Sequence, residues 1–169
     1  CSASAETWRS FRDTATGTRV IPLAYNDGVY TGDDPDFGTQ DCVLDDGTVS
    51  VLRTADHQVT ATIPLGASKK PWGLAFNPAG TKAYVANSGD GTVSVIDTAT
   101  RRSIRTIPVG SQPKFVAVSP KADHVYVTNS GSHSVSVIAA ATEAVVKTVL
   151  VGTAPLGIAV MPDASAVYV

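Results

Sequence analysis

The chain has 169 residues and a net charge of −2, with 43% hydrophobic and 17% charged residues. It is long enough to bury a real core, too apolar to be disordered, and not basic enough to hold nucleic acid tightly. Val, Thr, Ser, Gly and Pro dominate while Glu, Lys, Leu and Met are scarce, a strand-and-turn composition, and no apolar run approaches the roughly 18–20 residues of a membrane helix.

The first residues, "CSASAE", resemble the mature start of a bacterial lipoprotein, which implies a lipid anchor at Cys1. A disulfide between Cys1 and Cys42 in an oxidising compartment is one alternative, and a free Cys1 at an arbitrary start is the other. Nothing here resembles an intact signal peptide. Most of these readings place the protein outside the cytoplasm, secreted or associated with the cell envelope.

Residues 13–23, "DTATGTRVIPL", match "DTATRRSIRTIPV" at 97–109 with a two-residue deletion, and Ile21-Pro22 lies 42 positions before Ile63-Pro64. Residues 7–23 therefore read as the outer two strands of a repeat whose inner strands are not upstream. The next stretch, 24–46, has the length of two inner strands and lacks every motif residue. It carries Asp27, Asp33, Asp34, Asp36, Asp41, Asp45 and Asp46, seven of the chain's fifteen acidic residues. Hard cations want several oxygens on a flexible loop, so Asp33, Asp34 and Asp36 are candidate Ca²⁺ ligands. They lack the regular spacing of a known calcium loop, and a solvated acidic loop is the alternative.

From residue 63 onward the chain repeats itself. Pro71, Pro113 and Pro155 are 42 positions apart, as are Ala75, Ala117 and Ala159, then Pro78, Pro120 and Pro162, then Tyr84, Tyr126 and Tyr168. The one slip is two extra residues in "GASKKP" relative to "GSQP" and "GTAP". Within a period, Pro introduces an apolar run, Trp72 to Phe76, that "NPAG" ends. "KAYVANS" and "TVSVID" then alternate on either side of the turn "SGDG", and Asp97 to Thr100 turns the chain into "RSIRTIPV". Period-two alternation between Gly, Asn, Asp and Pro is the hairpin signature, and no helical period competes with it. Four antiparallel strands per 42 residues make one blade of an all-β propeller, whose blades bury faces against each other that none can bury alone. Small residues at 75, 117 and 159 suit the crowded innermost strand.

The stretches "AYVANSGDGTVSVIDTAT" and "VYVTNSGSHSVSVIAAAT" resemble the YVTN-type β-propeller repeat, the tetrapeptide being Tyr126-Val127-Thr128-Asn129 here. The resemblance covers about residues 47–169. It implies a ring of seven or so blades and a place in the cell envelope or outside the cell. One departure is Ala139, which stands where the repeat's turn Asp (Asp97) belongs, so that turn lacks its side-chain cap.

By register, the chain reads as one propeller domain. Residues 1–23 are outer strands of a closing blade, 24–64 a degenerate blade, 65–108 and 109–150 two further blades, and 151–169 inner strands of the closing blade. Closure within one chain would make a four-bladed ring; two chains could instead share an eight-bladed ring as a homodimer; or the chain is a piece of a longer propeller.

Catalytic motifs are not found: there is no G-x-S-x-G elbow, H-E-x-x-H, P-loop or C-x-x-C pair. "GDGTVS" at 89–94 joins two strands and is a hairpin turn, not a dinucleotide fingerprint. His57, His124 and His133 do not converge by register, which argues against a His-rich metal site. The expected ligand face carries the loops between blades and between second and third strands. It would present Lys69, Lys70 and Trp72 from "GASKKPW", with Gln112, Lys114 and His133 from the neighbouring repeat. An aromatic beside cations suits an anionic or sugar-like ligand. The alternative packs Trp72 between blades and leaves the lysines in solvent. Asn87 and Asn129 read as turn-capping residues.

Two functions follow. One is a non-catalytic extracytoplasmic binding or scaffold module for a protein or glycan, without a cofactor unless Ca²⁺ is bound. The other, implied by the resemblance, is a lactonase- or lyase-type enzyme working at the central channel, often with a metal. At the positions after the repeated prolines stand Trp72, Lys114 and Leu156, which make a poor metal cage. Single-strand nucleic-acid binding is a weaker third option, because Arg101, Arg102 and Arg105 lack interleaved aromatics.

Overall fold

The computed structural model describes residues 47–169. The pair expected at 7–23, the acidic stretch with Asp33, Asp34 and Asp36, and both cysteines lie outside the described residues. The described chain is a succession of short strands: β1 (Thr48–Leu52), β2 (Val59–Pro64), β3 (Pro71–Phe76), β4 (Lys82–Asn87), β5 (Thr92–Asp97), β6 (Arg102–Pro108), β7 (Pro113–Val118), β8 (His124–Asn129), β9 (Ser134–Ala139), β10 (Ala144–Leu150), β11 (Ala159–Val160) and β12 (Val167–Tyr168). They form two four-stranded antiparallel sheets, β3-β4-β5-β6 and β7-β8-β9-β10, each in chain order, flanked by the two-stranded pairs β1-β2 and β11-β12. This is the blade architecture of a β-propeller. A single 3₁₀ turn, Ser130–Ser132, is the only helical element among the described residues.

The central strands show why the repeat is needed. Stacked blades are expected to bury faces that none can bury alone, and β4 is buried at every position from Ala83 to Asn87. Its odd and even residues enter different cores. Ala83 and Val85 join Ile96 and Ile63, with Val49, Val51 and Leu65 packed against them, and so tie this sheet to β1-β2. Tyr84 and Ala86 join Val93, Val95 and Ile107 against Val116, Val125, Val127 and Ile138 of the next sheet. Each fully buried Val or Ile contributes about 1.5–3 kcal/mol relative to exposure, as an upper figure. Most of that is gained only when sheets stack.

The outer strands behave differently. In β6 only Ile107 is buried, and β10 has no buried residue. Each outer pair carries a register shift, at Val51/Leu52, Val95/Ile96 and Val145/Lys147. A bulge at an edge twists it away from further pairing.

Every hairpin demands a left-handed residue, and the sequence supplies glycine only sometimes. The turns after the inner strands place Gly80, Ala122 and Ala164 at positive φ, and the outer turns place His57, Arg101 and Glu143 there. The hairpins between second and third strands use Gly91 and His133, Gly47 holds the same position before β1, and the residues before the repeated prolines are Lys70, Gln112 and Ala154. Asp97 caps its turn as expected: its Oδ1 accepts from the Thr100 N–H and hydroxyl, both at 2.7 Å. Those two bonds hold its carboxyl below the usual range. At Ala139 the equivalent turn has no side-chain cap and is held by backbone bonds, Glu143 N–H to Ala139 O at 2.8 Å and Ala140 N–H to Asp123 O at 2.9 Å.

Polar bonds then fix how neighbouring sheets sit. Lys82 Nζ of β4 donates to Glu143 Oε1 at 2.5 Å, and Arg105 Nε lies 3.6 Å from Glu143 Oε2. The bond to Glu143 is the main reason that Lys82 holds its proton above the ordinary lysine range. Thr128 Oγ1 accepts from Phe115 N–H and donates to Leu156 O at 2.9 Å, reaching the following sheet. Ser130 Oγ donates to Pro155 O at 2.5 Å beside it.

Innermost strands β3 and β7 approach closely at Gly73. A Cβ there would lie 2.5 Å from Lys114 O and 2.9 Å from Phe115 Cα, both backbone atoms that cannot yield cheaply. Gly73→Ala should therefore lower thermal stability by several degrees while Gly80→Ala, whose Cβ meets nothing within 4 Å, costs only its backbone strain; paired melting curves compare them. Ala139→Asp, with Thr142 placed as Thr100 is, should restore the missing cap and raise the melting temperature by a few degrees.

Candidate functional site

Two kinds of loop build the face on which the candidate residues lie. The first is the approach to each inner strand, where a left-handed residue precedes proline: Lys70 at φ 47 and Gln112 at φ 49. Proline pushes its predecessor toward extended backbone, so this geometry is held against local preference. Hydrogen bonds hold it: Lys70 O accepts from Ser88 N–H at 2.9 Å and Gln112 O from Ser130 N–H at 3.1 Å. The second is the hairpin between the middle strands, bound to the first through Gly89 N–H to Lys69 O and Gly131 N–H to Ser111 O, both 3.0 Å. A Cβ on Gly89 would stand 2.1 Å from Ser68 O, so the two loops touch at their backbones.

On this frame the predicted residues separate into groups. Lys69 is committed to its own sheet: its Nζ donates to Asp90 Oδ2 at 2.5 Å and to Thr92 Oγ1 at 3.3 Å. Asp90 is thereby occupied, and its other oxygen accepts from the Thr92 hydroxyl at 2.7 Å. Asn87 and Asn129 are fully buried. They do not cap their turns through backbone groups as expected. Each side chain crosses the hairpin instead: Asn87 Nδ2 donates to Thr92 Oγ1 and Ser94 Oγ, and Asn129 Nδ2 to Ser134 Oγ and Ser136 Oγ. The hydroxyls that receive them sit on the next strand, where a buried amide finds partners that water cannot supply.

Trp72 and Lys114 are the pair the structure brings together. They occupy the same register position in successive repeats, directly after Pro71 and Pro113. Lys114 Nζ lies 3.7 Å from the centroid of the Trp72 ring, a cation–π contact across the junction of β3 and β7. Trp72 nevertheless keeps 42% of its surface exposed. Burial of the ammonium, and then the charge of Lys70, hold Lys114 below the ordinary lysine range. Trp72 is thus neither a sealed inter-blade plug nor free of the junction. Leu156, at the same position one repeat later, is also exposed.

His133 does a structural task. Its Nδ1 accepts the Ala154 N–H at 3.0 Å, and it occupies the left-handed position held by Gly47 and Gly91 in the other repeats. Gln112 is exposed at the neighbouring loop. Of the remaining histidines, His57 sits in the β1-β2 turn and His124 opens β8 with Nδ1 3.3 Å from Asp123 Oδ2. Among the described residues no three His, Cys, Asp or Glu side chains gather as a metal would require. Arg101 and Arg102 are exposed at the outer edge, and Arg105 is engaged with Glu143.

Comparison with known proteins gives the fold a lineage. The YNCE-like beta-propeller family model matches residues 45–168. A search of curated proteins returned no match. Among solved structures, hydrazine synthase of Kuenenia stuttgartiensis aligns at 25% identity and a TM-score of 0.67, over 72% of this chain and 35% of that one. A "putative 6-phosphogluconolactonase" of Bacteroides fragilis aligns at 21% identity and a TM-score of 0.59, over 63% of this chain and 33% of that one. Dihydro-heme d1 dehydrogenase NirN aligns at 23% identity and a TM-score of 0.53, over 62% of this chain and 22% of that one. The chain thus spans about a third or less of each structure's length, and the two below 25% identity share a fold with it and no more. Among the described residues no helix is long and apolar enough to cross a membrane.

The two roles of His133 can be separated. Replacing it by Ala or Gly removes the bond to Ala154 in both variants, but only Ala keeps a side chain in the left-handed region, at about 1 kcal/mol. His133→Gly should therefore be the more stable of the two by about that amount in urea unfolding. Equal stabilities would show that the loop relaxes out of its left-handed turn.

Proposed function

The chain belongs to the YNCE-like β-propeller family, and we propose that it is a non-catalytic binding module whose ligand, a protein or glycan, docks on the loop face. One observation carries the reading: an exposed indole and an ammonium 3.7 Å from its centroid stand together at a blade junction. Aromatic side chains offer large contact area at low entropic cost, and a partly exposed one beside a cation is the composition of a recognition surface. The groups that general acid–base chemistry would recruit from this face are engaged elsewhere: Asp90 with Lys69 and Thr92, and the Nδ1 of His133 with Ala154. An extracytoplasmic site of action is part of the proposal and rests on the resemblance to envelope and secreted propellers. The enzymes among the aligned structures speak for the fold and lend their reactions no support here.

The test sets binding against turnover. Arrays of immobilised glycans and extracellular proteins are probed with the full chain and with Trp72→Ala, and aldonolactone hydrolysis is followed in parallel. The expected result is saturable capture that Trp72→Ala weakens at least about tenfold, a typical effect of truncating an aromatic anchor, without lactone turnover above the spontaneous rate. Lactone hydrolysis that is unchanged by Trp72→Ala, with no capture on any array, would overturn the reading in favour of an enzyme.

A further inference from the structure

We propose that Lys70, Lys114 and Trp72 together form a site for a carboxylate-bearing sugar, such as a uronic acid residue of an acidic glycan; this rests on the loop face being the binding surface. The first argument is charge. Three cations set against these sheets have carboxylate partners: Lys69 has Asp90, and Lys82 and Arg105 share Glu143. Among the described residues neither Lys70 nor Lys114 forms an ion pair, although Lys114 is half-buried over the Trp72 ring and Lys70 stands two residues before that indole, its charge weakening the hold of Lys114 on its proton. Two like charges held together on a rigid frame bind an anion between them more tightly than either would alone, because the anion relieves their repulsion.

The second argument concerns which oxyanion. Phosphate sites in proteins draw on converging backbone N–H groups or on the fork of an arginine. Here the residues following Lys70 and Gln112 are Pro71 and Pro113, which have no N–H to give, and the Phe115 N–H is spent on Thr128 Oγ1. Among the described residues no arginine belongs to this face, since Arg53, Arg101, Arg102 and Arg105 lie at the outer turns and strand. Two separated ammonium groups suit a carboxylate, which needs one charge neutralised and few donors. The third argument is the indole. One face carries Lys114, while 42% of the residue stays open and offers the apolar side of a sugar ring a surface to lie on. The left-handed backbone at Lys70, bound through Ser88 N–H, fixes the loop from which the second cation extends.

Trp72 reports on its own site once Trp8, the other tryptophan, is replaced by Phe. Its fluorescence is titrated in the full chain with trigalacturonate, with the neutral galactose trisaccharide, and with inorganic phosphate. Trigalacturonate should give a saturable change that weakens with added salt, and Lys70→Ala and Lys114→Ala should each raise its Kd about tenfold, the scale of one charge-assisted hydrogen bond. Lys114→Arg, which keeps the charge and the stack, should stay within about threefold of the parent. Circular dichroism confirms that each variant is folded, and Lys121→Ala, an exposed lysine in the β7-β8 turn, should leave binding unchanged. An equal response to the neutral trisaccharide overturns the carboxylate and leaves the loop face a binding surface. An equal response to phosphate shows a charge trap without sugar recognition and overturns the proposal. No response to any of the three, with Trp72-dependent capture of a protein on the arrays, overturns it while keeping the module; loss of both removes the module as well.

Discussion

Burial on both faces of every middle strand is the constraint from which the rest follows. A four-stranded sheet whose central strands carry Val, Ala, Ile and Tyr on each side cannot stand in water with either side open. Val93, Val95, Val125, Val127 and Ile138 reach complete burial only because one sheet lies against the next. The unit of stability is therefore the junction between blades, not the blade. Devices that look local belong to that junction: Gly73 permits the approach of β3 to β7, Thr128 and Ser130 bind the segment that leads into β11, and Glu143 reaches Lys82 of the preceding sheet.

The tetrapeptide Tyr126-Val127-Thr128-Asn129 condenses this logic. Val127 enters the core shared with the preceding sheet, and Thr128 reaches forward to Leu156 O. Asn129, back on the first side, ties its own hairpin through Ser134 and Ser136. In the previous repeat, "YVAN" keeps the Tyr, Val and Asn and loses the forward bond, because Ala86 has no hydroxyl to offer. The ionic bridge from Lys82 to Glu143 crosses that same junction, at the other end of the strand.

Much of this was legible in the sequence, and the parts that were not share a cause. The 42-residue spacing of Pro, Ala and Tyr gives the period, and alternation between turn residues gives the strands. Alternation does not say which neighbour covers each face, and the structure shows β4 buried from Ala83 to Asn87 by two different cores. The asparagines have a turn residue's composition and a core residue's task, since the hydroxyls that take up their Nδ2 groups arrive from a strand several positions later, while each Oδ1 is buried without a partner. Gly73 was masked by Trp72 and Leu74 on either side, and only the three-dimensional approach of Lys114 O shows why a side chain cannot stand there. The left-handed positions are hidden in the same way. The repeat imposes them wherever a hairpin turns, and Arg101, Ala122, His133 and Ala154 adopt them without a sequence signal, because interfaces on either side outweigh about 1–2 kcal/mol of local strain.

The position after each repeated proline escapes these demands, and that explains why recognition chemistry can gather there. Pro71 and Pro113 lie against the buried asparagines of their hairpins, at register with Asn87 and Asn129. One residue later the chain presents Trp72, Lys114 and Leu156, unlike in size and charge, and with Trp72 and Leu156 exposed. A position that no core fixes can change from repeat to repeat without cost to the fold. Its neighbours cannot, so whatever stands there is held in the same place each time. Proline also removes the backbone N–H that might otherwise bind a ligand, which leaves recognition to side chains. Adjacent repeats can then pair unlike residues across a junction, as Lys114 does with Trp72, so on the proposed reading specificity would come from the combination of two repeats rather than from either alone.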